Sequence, residues 1–393
     1  MTVAASTLIG IFTVPVLVIA VGAQEWASIA LAQTVGQLVT IFVAFGWGVT
    51  GPSMVAVAPA GERQGLYLQS LVSRCYTFVV GYVVAVVVLA ALLRGDVTFA
   101  LIGAAAYVVP ALGASWFFVG SARPWLMFFC DALPTMLGTV LGMVLAGVTH
   151  SVELFLVGQL TGSALAVVID AVVVLRQAKA KPDLRMKTTV RALGAQRHAL
   201  FTGLTAGLYV NLPVIIVQAF APGFLPTYVL ADRLYKYGAV ALSPFQQYLQ
   251  GWVPEAGREH IRDRAIKATF AGLLLGVVGG CAVVLLSPFA SWLLSGQRIQ
   301  VPFSLSIPLG IAFLAVATSA VVGYACLALI GRVRSLAVST FVGAVVGIPL
   351  AILCAALGWP TGVAWAVAVS ELAVATYQLA VLWRWAQTRT VLE

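Results

Sequence analysis

Charge is what this sequence has least of. Its 22 Lys and Arg and 13 Asp and Glu make up 9% of 393 residues, where a soluble domain carries about a quarter. Apolar residues make up 61%, and mean hydropathy is +1.03. That balance excludes an ordinary soluble globular protein, and it excludes disorder, which needs low hydrophobicity and high charge. Polar stretches are just as scarce. No gap between apolar runs could house a soluble catalytic domain. Cysteine is sparse and unpatterned: Cys75, Cys130, Cys281, Cys326 and Cys354 all lie in apolar stretches and form no CxxC or ligand spacing, which reads as packing rather than a disulfide frame or metal site. There is no GxSxG, HExxH or Walker sequence, so neither hydrolase chemistry nor nucleotide hydrolysis of those kinds is indicated. His150, His198 and His260 stand apart near loop or span ends and read as interfacial. No cofactor or metal is called for, and the chain does not read as an enzyme.

What is there is length of apolar run. About 20 apolar residues cross a bilayer as helix, so twelve spans use roughly 240 residues and leave roughly 150 for connections. The pattern predicts an all-α membrane protein with spans at roughly 5–22, 27–47, 70–92, 97–119, 124–146, 152–175, 199–220, 226–250, 267–294, 303–329, 336–357 and 361–384. The second and eighth are weaker, because they carry Gln33, Gln37, Asp232 and Gln246.

The net charge of +9 is a topology signal here rather than a sign of nucleic acid. With both termini cytoplasmic, 18 of the 22 cations fall in inner connections or flanks, from Arg63, Arg74 and Arg123 to Arg384 and Arg389. The outer side holds only Arg94 and Arg298, and Arg233 and Lys236 lie within a span. That asymmetry follows the positive-inside rule and supports an even count of twelve.

The longest connection, 176–198, is basic and divides the chain into a lobe at 1–175 and a lobe at 199–393. The halves share landmarks. Val14-Pro15-Val16 matches Leu212-Pro213-Val214, Ala32-Gln33 matches Ala231-Asp232, and Gly61-Glu62-Arg63 matches Gly257-Arg258-Glu259, at offsets of 198, 199 and 196. This predicts a six-plus-six parallel duplication, an architecture of transporters.

Charged residues inside spans are costly and usually face a bundle interior. Asp232 and Lys236 are four apart and share a helix face, so they can pair. Arg233 points about 100° away and needs another partner. Tyr228, Tyr235, Tyr237, Gln246, Gln247, Tyr248 and Gln250 share that span. Rings, amides and cations together suit a sugar-phosphate ligand. They equally suit an internal salt bridge with Tyr at helix interfaces. Asp131 and Glu371 sit inside other spans, and burial makes a charged carboxylate costly, which suits a group that loads and releases a proton. Hydrogen bonding to a neighbouring helix is the structural alternative. Asp170 lies near a span end, where it is expected to reach water. Arg123, in Gly120-Ser121-Ala122-Arg123-Pro124, is either a greeter for a lipid diphosphate or a topology marker, as is Gly331-Arg332-Val333-Arg334. Pro15 and Pro213, at matching positions, are candidate hinges. Gly138xxxGly142, Gly158xxxGly162, Gly203xxxGly207 and Gly343xxxGly347 would allow close helix contact.

Trp116-Phe117-Phe118-Val119-Gly120, Ala32-Gln33 with Phe45-Gly46-Trp47-Gly48, Tyr209-Val210-Asn211-Leu212-Pro213 and Tyr228-Val229-Leu230-Ala231-Asp232-Arg233 form a pattern. The chain resembles the polysaccharide-transport and O-antigen flippase family of the multidrug/oligosaccharidyl-lipid/polysaccharide exporters. It departs at Val119, where members often have Gln, and in lacking a short basic stretch before the first span. The resemblance implies two six-helix lobes around a central cavity, alternating access, and a bacterial inner-membrane location. It implies a polyprenyl-diphosphate-linked glycan as cargo, turned from inner to outer leaflet among membrane lipids, with an ion gradient to reset the carrier. Arg233 and Lys236 are then the positions for the diphosphate, with Tyr228, Tyr235 and Arg123 beside it. Asp131, Asp232 and Glu371 are the positions for the ion. A polysaccharide polymerase and a chain-length regulator are the partners it brings into view. Two other readings stand beside it. A drug/cation antiporter of the same superfamily would favour an acidic cavity, which Arg233 and Lys236 argue against. A membrane-embedded glycosyltransferase or polymerase would need a sizeable outer loop, and the longest here, 295–302, holds one charged residue, Arg298.

Overall fold

The computed structural model describes residues 2–176 and 186–390. Every regular element it describes is helical. Among the described residues, ten helices are long and apolar enough to cross a membrane, and Ala5–Ala20 is a shorter apolar helix. With the broken pair α11 and α12 described below, these make the expected twelve traverses. The chain is a multi-pass membrane protein.

Its Cα packing divides into two compact units, Met1–Asn211 and Leu212–Glu393. The first unit holds α1 (Thr2–Ala20), α2 (Ala23–Ala44), α3 (Trp47–Val57), α4 (Arg63–Leu92), α5 (Val97–Val108), α6 (Ser115–Gly120), α7 (Pro124–Leu126), α8 (Leu133–Thr149) and α9 (Val152–Leu175). A 3-10 turn, Val109–Leu112, follows α5, and a π-helical turn, Met127–Ala132, joins α7 to α8. Helix α10 (Met186–Phe220) crosses the unit boundary one residue before Pro213. The second unit continues with α11 (Leu225–Ala241), α12 (Ser243–Trp252), α13 (Gly257–Leu294), α14 (Phe303–Ala320), α15 (Val333–Ala356) and α16 (Gly362–Thr390), with a π-helical turn, Val321–Leu327, after α14.

Several stretches differ from their sequence reading. The connection at 176–198 is helical from Met186, so the seventh span is the end of a longer helix; Lys179, Lys181 and Arg185 lie outside the described residues. The first part of α10 packs in the first unit: a Cβ on Gly207 would stand 2.4 Å from Ile41 Cδ1 of α2, and one on Gly46 would stand 2.9 Å from Ala199 Cβ. The second span is broken as well. Phe45 and Gly46 take left-handed conformations (φ 44° and 87°), which end α2 and start α3 in a stretch expected to be a loop.

The eighth span breaks too. Helix α11 stops at Ala241, and Pro244 sits in the first turn of α12, where its missing N–H costs nothing. In each unit an arginine at the start of the next helix closes the broken span. Arg63 Nε donates to Ala58 O at 3.0 Å, and Arg264 Nη1 donates to Trp252 O. Carbonyls at helix ends lack intrahelical partners, and hydrocarbon offers them no water.

The long helices show why the chain needs a lipid surround. On α4, Val79, Val80, Val83, Val84 and Val87 are all exposed, as are Leu273, Leu274, Val277 and Val278 on α13. Such continuous apolar faces are untenable in water. Between helices, glycine sets the distance. A Cβ on Gly138 would come within 2.5 Å of Gly162 Cα, and one on Gly158 within 2.5 Å of Gly142 Cα. Two of the four expected glycine pairs therefore interlock, α8 against α9, backbone to backbone.

Candidate functional site

The eighth span carries its predicted charges on α11. Lys236 Nζ and Asp232 Oδ2 stand 2.7 Å apart, with side chains 35% and 15% exposed, so the expected i,i+4 pair forms. Arg233 is half-buried on the next face. The two tyrosines are both buried. Tyr228 is 1% exposed, packed inside the unit. Tyr235 is buried and meets Phe313 of α14 edge-to-face at 6.3 Å. Their rings anchor α11 to its own unit, while Arg233 and Lys236 stay partly exposed beside Asp232 and Tyr237. Glu371 is half-buried on α16, and Arg123 is exposed in the turn between α6 and α7. Pro15 lies inside α1 and Pro213 inside α10.

A second polar centre lies in the first unit, where sequence reasoning placed only Asp131. The fourth span is broken: α5 runs into the 3-10 turn, which Gly113 and Ala114 separate from α6. Three charged side chains converge on this break. Arg74 of α4 is 1% exposed; its Nη1 donates to Ala111 O at 2.8 Å and to Gly113 O at 2.7 Å. Its guanidinium lies 5.7 Å from the Trp116 ring centroid. Asp170 of α9 is fully buried, and its Oδ2 accepts from Ala114 N at 2.7 Å. Asp131 Oδ1 and Asp170 Oδ2 each stand 3.4 Å from where a Cβ on Gly113 would be, so the two carboxyl groups flank one point. Asp131 itself lies in the π-helical turn, an irregularity often found at functional sites.

Two expectations change here. Asp170 does not reach water, and Arg74 is not an inner-surface cation. Their signal was in the sequence all the same. Ser70, Ser73, Arg74 and Thr77 fall at i, i+3, i+4 and i+7 along an otherwise apolar helix, and all are buried. The stripe serves both breaks in the unit, because Thr77 Oγ1 donates to Val43 O at 2.8 Å, near the end of α2. Among the described residues, five buried polar atoms in this region have no hydrogen-bond partner: Tyr67 Oη, Ser70 Oγ, Arg74 Nη2, Trp116 Nε1 and Asp170 Oδ1. Among the same residues no three His, Cys, Asp or Glu side chains gather as a metal site.

No family model matches this chain, and no curated protein matches it. Solved structures do. The chain is similar to the lipid II flippase MurJ in its inward closed conformation, with a TM-score of 0.75 at 13% identity over 96% of this chain and 86% of that one. It is also similar to a MATE-family multidrug transporter of the MOP superfamily in an inward-facing conformation (TM-score 0.58, 14% identity, 99% and 94% covered). A third match is a point mutant of the Vibrio cholerae MATE transporter VcmN (TM-score 0.56, 15% identity, 100% and 94% covered). At these identities the likeness is one of fold.

Proposed function

We propose that this protein is a flippase that carries a polyprenyl-diphosphate-linked oligosaccharide from the inner to the outer leaflet of a bacterial inner membrane by alternating access. The observation that carries the reading is the half-exposed cationic turn of α11, Arg233 and Lys236, in a chain with this transporter fold. A diphosphate needs fixed cations where water is scarce, and arginine offers a fork matched to phosphate oxygens. Lys236 is held by Asp232, so a phosphate that displaces the carboxylate takes over a cation already oriented. Arg123, exposed at the α6–α7 turn, is a first contact for the headgroup. Pro213, beside the unit boundary, and Pro15 are the hinges. An ion gradient resets the carrier through carboxyl groups. Asp131 and Glu371 serve that role better than Asp232, whose partner is already in place. A polysaccharide polymerase and a chain-length regulator are its working partners.

A second reading, export of cationic drugs, draws on the fold shared with MATE transporters. One assay separates the two. Purified protein in liposomes is given a fluorescent polyprenyl-diphosphate oligosaccharide or, separately, a fluorescent lipophilic cation, with and without a pH gradient. Glycan appearing on the opposite face, with no cation transport, supports the flippase. Cation transport with immobile glycan replaces it with the exporter.

A further inference from the structure

The two units solve one packing problem in different chemistry. In the second unit, Gln378 of α16 donates from Nε2 to Ser339 Oγ of α15 at 2.9 Å. Gln378 also lies against Gly323 in the π-helical turn after α14, its Oε1 3.1 Å from where a Cβ on that glycine would stand. In the first unit, Asp170 of α9 and Asp131 of the fifth span lie against Gly113 in the same way. The numbering agrees: Ser339 follows Asp131 by 208 residues, and Gln378 follows Asp170 by the same 208. A neutral, hydrogen-bonded pair in one unit is a pair of carboxyl groups in the other.

Two carboxylates flanking one buried point repel each other, and one usually keeps a proton. The charge balance of the first unit points the same way. The groups that act on the pair are Arg74 and Tyr67 from α4, and Cys130 beside Asp131 in the π-helical turn; Cys75 of α4 acts on Arg74 and Tyr67 in turn. Tyr107 of α5 lies against Gly36 of α2. Arg74 is the one permanent cation among them, and it balances one carboxylate. Among the described residues no salt bridge is formed by Asp131 or Asp170, while Asp170 Oδ1 and Arg74 Nη2, both on side chains at least nine-tenths buried, face the cluster without a partner.

We propose that Asp131 and Asp170 share a single exchangeable proton, with Arg74 as the fixed counter-charge, so that the break in the fourth span stores a proton. On loading, an O–H bond forms on one carboxyl group with a proton taken from water, and the cluster becomes neutral. On release, the proton returns to water and leaves one buried negative charge in excess. That charge loosens the hold on the break in the fourth span, because Arg74 and Asp170 are the groups that hold its freed carbonyls and N–H. Use of this proton to drive transport rests on the transporter reading. The store itself does not.

The test is infrared difference spectroscopy on the full chain in liposomes between acidic and alkaline buffer, reading the stretch of protonated carboxyl groups. Wild type should show one band that is lost as pH rises. Asp131→Asn and Asp170→Asn should each abolish it, since either remaining carboxylate then pairs with Arg74. The double variant Asp131→Ser, Asp170→Gln copies the neutral pair of the second unit, so it should fold, keep the wild-type unfolding temperature and show no band. A band that survives one single variant assigns the proton to one residue and overturns the sharing. A band in the double variant overturns the site, as does a wild-type band that added sodium removes at fixed pH. Absence of glycan movement by wild type would sink the transport reading and leave the spectrum to decide the store.

Discussion

Replacing Arg74 by alanine should destabilise the first unit by about 2–4 kcal/mol. The guanidinium makes two short hydrogen bonds, to Ala111 O at 2.8 Å and Gly113 O at 2.7 Å. Bonds to a charged group are worth about 1.5–3 kcal/mol each, which sets an upper figure near 6 kcal/mol. Two effects lower it. Polar contacts within membranes average about 0.6 and reach about 1.7 kcal/mol in double-mutant cycles, because the unfolded chain in lipid also finds partners. Removing Arg74 also removes its unpaired Nη2. One effect raises it again: the Asp170 carboxyl group loses the nearby charge of Arg74 while staying fully buried, and a buried charge left uncompensated is costly. Arg74→Lys should recover only part of the loss, since one ammonium on a shorter stem reaches the two carbonyls less well than a planar fork. Denaturant unfolding in mixed micelles reads the difference, with Arg94→Ala, exposed at a helix end, as the control within about 0.5 kcal/mol. An Arg74→Ala protein as stable as that control would refute the account of the broken fourth span.

Other outcomes follow from particular distances. Gly158→Val should separate α8 from α9 and cost about 1–3 kcal/mol by overpacking, because even a Cβ would meet Gly142 N and Cα at 2.5 Å; Gly147→Val, with nothing within 4 Å of its Cβ, should leave thermal unfolding in micelles unchanged. Lys236→Gln should change stability by no more than about 0.5 kcal/mol, the worth of a partly exposed i,i+4 pair, yet abolish glycan transport in liposomes. Loss of folding instead would make the pair structural. Tyr228→Leu should act the other way. It should lower the unfolding temperature through lost core packing, and protein that folds should keep its affinity for the glycan lipid, read by equilibrium binding.

The fold was legible in the sequence because lipid imposes one rule on every span: enough apolar residues in a row, with cations kept inside. The broken spans were less legible. Trp47–Val57 is apolar enough to join a span, and only the left-handed Phe45 and Gly46 cut it off as α3. Pro244 marked the other break, but the apolar flanks of 226–250 masked it. Of the candidate site, the Asp232–Lys236 pair was readable from spacing alone. The Arg74–Asp170 centre was not, because each residue lies near a span end in sequence and so looked able to reach water. Only tertiary packing brings them, from α4 and α9, to the same break. The serines and threonine at helical spacing around Arg74 were the local sign of that burial. Tyr228 and Tyr235 were open to two readings for a related reason: aromatic residues suit a sugar face and a helix interface equally.

The central claim is that the cations of α11 hold a lipid-linked diphosphate. The most direct measurement is leaflet-resolved transport of fluorescent polyprenyl-diphosphate oligosaccharide in liposomes by wild type, Arg233→Ala, Lys236→Ala and Arg233→Lys proteins of equal stability. The account predicts movement by wild type, loss in both alanine variants and partial recovery with lysine. Movement at the wild-type rate in both alanine variants would contradict it.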